Sequence, residues 1–324
     1  MVHRPAVCIV TPYLADANNG NWRTASRWAR LLRPAFRVQV AAEWNGRPFD
    51  ALIALHAGRS AASIDAFARA HSDRALIVVL TGTDLYGGLD ATTRRSLGLA
   101  SRLVVLNELG RDALPAPMRS KVHVVLPSAT ALPPLAPRQR TFDVAVVGHL
   151  RAVKDPGLPM RLARALPEHS SIRLLHAGAA LEGGWARAAR GTERATRRYR
   201  WLGGLSSAQA RALIRRARVL LHPSREEGGA TVIVEALQSG TAVIASDCAG
   251  NVGLLGPDYP GLFPVGDMQS ARALLLRVES EPGFRRRLLA AAGRRAKLFT
   301  PAREGRSLRR LVHNSLKNNP PLPR

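Results

Sequence analysis

Val219-Leu-Leu-His-Pro-Ser-Arg-Glu-Glu-Gly-Gly-Ala-Thr-Val-Ile-Val-Glu-Ala-Leu-Gln-Ser-Gly-Thr-Ala-Val-Ile-Ala-Ser246 reads as strand, polar loop, helix, strand. Val219–His222 and Ala242–Ser246 are short, continuous apolar runs, as expected of strands buried on both faces of a parallel sheet. Ala230–Ser239 between them has the length of a helix. The same alternation runs outward in both directions. Ala6–Thr11, Arg37–Ala42, Ala51–His56, Ala75–Thr81, Arg102–Asn107 and Val122–Leu126 form one set of strands, with Trp22–Leu32 and Ser60–His71 as helices among them. Asp143–Gly148, Ile172–Ala177 and Tyr199–Leu202 join the two quoted strands in a second set, with helices at Pro156–Leu166 and Ser206–Ala217. Ser206 and Gln209 have the spacing of a capping box. Helices over Ser270–Glu279, Gly283–Phe299 and Pro301–Leu316 follow, the last with proline at its first position.

Pro127, Pro133, Pro134 and Pro137 crowd the interval between the two sets. Proline removes a backbone donor and fixes φ, so this stretch reads as a linker. The expected organisation is α/β, with two doubly wound Rossmann-like domains over 1–137 and 138–300 and a C-terminal helix and tail over 301–324. Alternating βα units force right-handed crossovers, and ligands bind beyond the carboxyl ends of the strands. Two such domains facing one another are expected to place a cleft between them.

The chain has 324 residues, 46% of them hydrophobic, enough for buried cores and against wholesale disorder. Its 48 Lys+Arg exceed 23 Asp+Glu, a formal charge of +25, and all but Lys121, Lys154, Lys297 and Lys317 of the basic residues are arginine. Nucleic-acid binding is one use of that charge, but no aromatic stripe accompanies it. Solvated helix faces and attraction of a small anionic substrate are the other two. No apolar run reaches the ~18 residues of a membrane span. The apolar part of the first ten residues is too short for a secretion signal, so a cytoplasmic location is expected. Cys8 and Cys248 make neither a disulfide framework nor a zinc site, and no His/Cys/Asp cluster has metal-ligand spacing. Neither metal nor cofactor is expected.

The loop opening the helix near Ala230 carries Glu227, Gly228 and Gly229. The glycines admit close approach of a ligand to the backbone, and N–H groups at a helix start favour phosphate. Glu227 and Glu235 can accept hydrogen bonds from neighbouring sugar hydroxyls; the alternative is acidity favoured by the helix dipole. Gly148-His-Leu-Arg-Ala-Val-Lys154 follows a strand and precedes a helix, so Arg151 and Lys154 can hold a diphosphate, or else face solvent. Ser246-Asp-Cys-Ala-Gly-Asn-Val-Gly253 is expected to be a glycine-containing turn that offers N–H groups from Asn251, Val252 and Gly253. In the first domain Gly20, Asn21, Arg23 and Thr24 stand at a helix start, a ready anion site. Thr81, Thr83 and Asp84 follow the fourth strand, and His56 and Arg59 the third. Asp84 is alternatively a helix N-cap, and His56 a strand-end histidine that satisfies the backbone.

Together, the Gly148–Lys154 loop, Leu175-His-Ala-Gly178, Trp201-Leu-Gly203 and Glu227-x7-Glu235 resemble glycosyltransferase family 4, retaining enzymes of the GT-B fold. The resemblance implies a basic loop on the donor diphosphate with Lys154 in it, Glu227 on the transferred sugar and Glu235 on the ribose. Where the family often has Arg after the glycine this chain has His149, which shifts the expected charge to Arg151. Asn18-Asn-Gly-Asn-Trp-Arg-Thr24, Thr81-Gly-Thr-Asp84 and Gly250-Asn-Val-Gly253 resemble the selenosugar synthase branch, as do Tyr199–Leu205 and Asp258–Gly266. That branch implies transfer from UDP-N-acetylglucosamine to selenophosphate, a carbon–selenium bond, and a place in selenoneine biosynthesis. It also implies a C-terminal helix that crosses back to the first domain. The competing expectations are a family 4 transferase with a hydroxyl acceptor and, from a different class, a nucleic-acid or anionic-membrane binder.

Overall fold

The computed structural model describes residues 4–13, 20–137 and 140–317. Asn18 and Asn19 of the selenosugar pattern, and the expected boundary at 137/138, fall at least partly outside them. The chain divides into two compact units: Met1–Ser128 with Glu227–Gly229 and Thr300–Arg324, and Ala129–Glu226 with Ala230–Phe299.

The first unit is a six-stranded sheet in the order β2-β1-β3-β4-β5-β6. Its strands are β1 (Ala6–Val10), β2 (Arg37–Ala41), β3 (Ala51–Leu55), β4 (Ala75–Val79), β5 (Arg102–Val105) and β6 (Val122–Val124). Every pairing is parallel. Alternate residues feed two cores, as a period of two requires. Val7, Ile9, Ile53 and Ile77 join Trp28 and Leu32 of α1 (Gly20–Leu32) and Leu308 and Val312 of α12 (Pro301–Lys317). Cys8, Val10, Leu52 and Leu76 join Ile64 and Phe67 of α2 (Ala61–Ala70) and Leu97 of α4 (Ala91–Leu99). Burial raises the Cys8 thiol to about 11, so it packs as an inert apolar group. Helix α12 is fixed by the buried Glu304 carboxylate, which accepts from Arg27 Nε at 2.9 Å, Trp28 Nε1 at 2.8 Å and Ser128 N at 3.0 Å.

The second unit has the order β12-β11-β10-β7-β8-β9. Its strands are β7 (Phe142–Val147), β8 (Ile172–Ala177), β9 (Tyr199–Trp201), β10 (Val219–His222), β11 (Ala242–Ser246) and β12 (Leu262–Phe263), again parallel throughout. The helices are α5 (Gly157–Ala165), α6 (Trp185–Ala195), α7 (Ser207–Arg216), α8 (Thr231–Leu237), α9 (Ala249–Leu255), α10 (Met268–Ser280) and α11 (Pro282–Ala296). The capping box at Ser206 and Gln209 is present with both of its hydrogen bonds.

Three features differ from the sequence expectation. The division falls after Ser128, nine residues before the expected boundary at 137. The proline-rich stretch runs along the second unit, where Ala129, Leu132 and Leu135 donate N–H groups to the carbonyls of Phe299, Gln238 and Arg215. Those carbonyls lie at or beyond helix C-termini, where intrahelical partners run out. Second, the turn expected over Ser246–Gly253 is α9, so the Asn251 and Val252 amides already donate to the Cys248 carbonyl. Third, Glu227–Gly229 group with the first unit and Glu235 with the second.

Candidate active site

In the second sheet the strand order turns round between β7 and β10, which pair directly through Val144 and Val219. A crevice at such a switch point is where doubly wound sheets bind ligands. The loops leaving these two strands are Gly148–Lys154 and Pro223–Glu226, the latter continuing into Glu227. The basic loop is held almost entirely by backbone. Gly148 N donates to Ala177 O, Leu150 N to Ala179 O, Leu181 N to Leu150 O and Arg225 N to Val153 O. Gly178 permits this approach, since a Cβ there would lie 1.8 Å from the Gly148 carbonyl oxygen. His149 Nδ1 accepts from Ala179 N at 3.2 Å, which leaves the ring proton on Nε2.

Behind the loop, buried His176 Nδ1 lies 2.8 Å from the Tyr199 hydroxyl, and its ring also bonds the Gly148 backbone. Burial lowers His176 to about 4 and keeps it neutral. Arg151 Nε lies 3.4 Å from Glu182 Oε1, and the Ala152 amide donates to Glu182 Oε2 at 2.6 Å. That amide, first, and Arg151 hold the Glu182 carboxyl below its usual range. Arg151 therefore has a protein counter-charge rather than standing ready for a diphosphate. Lys154 ends the 3-10 turn Ala152–Lys154 and is half-buried. Asp155 follows in a left-handed conformation (φ 42°), accepts from Leu158 N and meets Arg225 Nη2 at 3.4 Å.

Ala230 is the N-cap residue of α8, and Glu235, inside that helix, is buried. On α9 the fully buried Asn251 donates Nδ2 to the carbonyl and hydroxyl of Ser246, both at 3.0 Å, while its Oδ1 has no hydrogen-bond partner. The Gly253 carbonyl accepts from Arg295 Nη2. Cys248 is the buried N-cap residue of α9 rather than part of an open turn.

In the first unit the expectation that Gly228 and Gly229 leave room for a ligand is corrected by what fills the room. A Cβ on Gly228 would lie 2.3 Å from the Thr81 carbonyl, and one on Gly229 2.7 Å from Leu106 Cβ. Asn107 Nδ2 donates to the Gly228 carbonyl at 2.8 Å. Glu227 is buried. Asp84 lies in α3 (Thr83–Tyr86) and is saturated: Oδ1 accepts from Thr81 N and Gly82 N, and Oδ2 from Ala57 N. It organises the ends of β3 and β4 and is neither an acceptor ligand nor a helix N-cap. At the start of α1, Gly20 is exposed, Asn21 and Arg23 are half-buried, and Thr24 is buried in the packing. Thr83 is exposed, and His56 follows β3 with a positive φ.

The sequence reasoning missed Glu182, Asn107, and the part that His176 and Tyr199 play behind the loop. Only His176 carried a local signal, an imidazole inside an apolar strand. Among the described residues no group of three His, Cys, Asp or Glu side chains is placed to hold a metal ion. None of the described helices is long and apolar enough to cross a membrane.

Two all-parallel α/β units of this topology, with the basic loop at the second unit's switch point, define the class of GT-B glycosyltransferases. Residues 130–295 match the family model described as glycosyl transferases group 1, and the chain belongs to that family. Among solved structures, sucrose-phosphate synthase from Thermosynechococcus elongatus is 14% identical, with a TM-score of 0.78 over 97% of this chain and 100% of that one. HepE from Anabaena, in complex with UDP and glucose, is 15% identical, with a TM-score of 0.71 over 97% and 100%. A mutant of TarM from S. aureus, in complex with fondaparinux, α-GlcNAc-glycerol and UDP, is 13% identical, with a TM-score of 0.66 over 81% of this chain. The chain spans 55% of the TarM chain. At such identities the likeness is one of fold. No curated protein matches the sequence.

Proposed function

We propose that this glycosyltransferase uses a UDP-sugar, UDP-N-acetylglucosamine, and transfers its sugar to selenophosphate. The observation that carries the donor half is the pre-organised Gly148–Lys154 loop at the β7/β10 switch point, with Lys154 at its end. UDP in the HepE and TarM complexes supports the nucleotide. Lys154 stabilises charge that develops on the departing diphosphate, an interaction that strengthens toward the transition state. Glu227 orients the hexosamine and Glu235 the ribose. His149 and Ala230 complete the donor set. Asn21 and Arg23 supply polar and cationic groups to the acceptor.

Selenium, already anionic, attacks the anomeric carbon as the bond from that carbon to the diphosphate oxygen breaks, and UDP leaves with the electron pair. Hydrolysis of the selenium–phosphorus bond by water then yields the selenosugar and phosphate, a step suited to selenoneine biosynthesis. Support for selenium comes from the Thr81-Gly-Thr-Asp84 and Gly250-Asn-Val-Gly253 patterns. A cytoplasmic location and the absence of a resident cofactor belong to the same proposal. The test is incubation with UDP-N-acetylglucosamine and selenophosphate, followed by mass spectrometry. A hexosamine product with the selenium isotope pattern is expected. Transfer only to hydroxyl compounds would replace the acceptor, and UDP-sugar left intact with every acceptor would overturn the donor as well.

A further inference from the structure

The first sheet has a switch point of its own, between β1 and β3, which pair through Val7 and Ala51. Tyr13 leaves one strand there, and His56 and Arg59 leave the other. His56 adopts φ 69° and is one of only two non-glycine residues with positive φ among those described. Such backbone is costly for a side-chain-bearing residue and persists where its surroundings over-determine it. Here they do. The Arg59 amide donates to His56 Nδ1 at 3.3 Å, and Nε2 lies 3.3 Å from the Thr83 hydroxyl oxygen.

This arrangement fixes the chemistry of the ring. With its lone pair engaged at Nδ1, the neutral imidazole carries its proton on Nε2 and donates to Thr83. The Thr83 hydroxyl, accepting there, directs its own proton outward. Arg59 stacks its guanidinium on the Tyr13 ring at 5.2 Å and donates to the Tyr13 hydroxyl, which ties the loop after β3 to the loop after β1. Arg59 and Thr83 are both exposed and flank the same imidazole. The nearby carboxylate, Asp84, has both oxygens occupied by backbone amides and lies 3.8 Å from Nδ1.

We propose that Arg59 and the Thr83 hydroxyl form a subsite for a small phosphate-like oxyanion, the anionic end of the acceptor, with His56 as the residue that positions Thr83. This deepens the acceptor half of the proposed function and rests on it. It moves the weight of anion recognition from the start of α1 to the ends of β3 and β4. A histidine whose Nδ1 is taken and whose Nε2 bears the proton does not withdraw a proton from a hydroxyl acceptor. The subsite therefore suits a nucleophile that arrives already charged.

The experiment is a phosphorus NMR titration of the full chain with inorganic thiophosphate, run beside calorimetry with UDP. Wild type is expected to bind thiophosphate. Arg59→Gln and Thr83→Val each weaken it roughly ten-fold or more, as loss of a hydrogen bond to a charged group does. His56→Asn, whose side chain tolerates a left-handed backbone, weakens it by a smaller factor, and UDP binding is unchanged in all three. Arg59→Gln alters only an exposed side chain, so it remains a fair test if a buried variant fails to fold. Unchanged thiophosphate binding in Arg59→Gln and Thr83→Val, or none by wild type at millimolar concentration, would overturn the subsite. UDP binding without thiophosphate binding leaves the donor assignment standing, whereas the reverse removes the donor and keeps the subsite.

A pH profile separates positioning from proton transfer. His56 is faced by Asp84 of α3, Arg59 of its own loop and Asp90 at the start of α4; burial outweighs the carboxylates and lowers its titration. The transfer rate to thiophosphate, acquired in this protein with UDP-N-acetylglucosamine, is expected to stay level on the acid side through that titration. A ten-fold loss per pH unit there, abolished in His56→Asn, would make His56 a base and contradict the assignment.

Discussion

At the switch point of the second unit a strand-end loop is held by backbone hydrogen bonds, a glycine contact and a neutral buried histidine. In the first unit the ends of β3 and of its neighbour β4 are held by one carboxylate, Asp84, with three amides on it. Both sheets are six-stranded and parallel, but they differ in strand order and in anchoring. The loop anchored by backbone ends at Lys154, and Arg151 in its middle meets Glu182. A site anchored by a saturated carboxylate leaves its cation, Arg59, outside the anchor. The comparison teaches that a charged residue at a strand end is not thereby a ligand-binding residue. What matters is whether backbone donors have already used its oxygens, or a counter-ion its charge.

The sharpest way to break the second unit's anchor is Gly178→Ala. A methyl group 1.8 Å from the Gly148 carbonyl cannot be accommodated unless the ends of β7 and β8 separate. The expected destabilisation exceeds about 4 kcal/mol, the range of severe core lesions, and a urea titration measures it. In the first unit the matching lesion is Glu304→Ala. It strands the buried Arg27 guanidinium, Trp28 Nε1 and Ser128 N, at a cost of roughly 3–5 kcal/mol. Limited proteolysis is expected to release the C-terminal helix first.

A smaller effect, graded with pH, sharpens the contrast. His176 titrates at about 4 in the fold, against about 6.5 in an unfolded chain. Between those values the unfolded state binds the proton and the folded state does not, so stability falls as pH drops from 6.5 to 4. The slope is roughly 1.4 kcal/mol per pH unit, and it levels off below the folded value. Tyr199→Phe removes a bond to the ring without removing its burial and is expected to preserve that direction. A urea midpoint that stays constant over this window would show that the ring is solvated and the loop differently held.

Every strand named from the sequence is present, because a parallel sheet buried on both faces writes itself as continuous apolar runs. The runs overshoot the ladders by one or two residues. His56, Thr81, Asn107, Gly148 and Leu202 lie beyond the last paired residue, where the site loops begin. Helix α9 was illegible: Gly250, Asn251 and Gly253 are poor helix formers, and burial of Leu254 and Leu255 overrides them. The glycines at 228 and 229 announce a close approach without saying what approaches. Thr81 and Leu106 are far away in sequence, and no local pattern points to them. The Arg151–Glu182 pair, 31 residues apart, is hidden for the same reason.

The central claim is that Lys154, at the end of a pre-built loop, grips the diphosphate of a uridine nucleotide. Isothermal titration of UDP into the wild-type chain and into Lys154→Ala tests it most directly. Saturable binding by wild type, weakened at least ten-fold by loss of a charge-assisted bond, is the predicted result. Equal binding by the two proteins, or no heat from either at millimolar UDP, would contradict it.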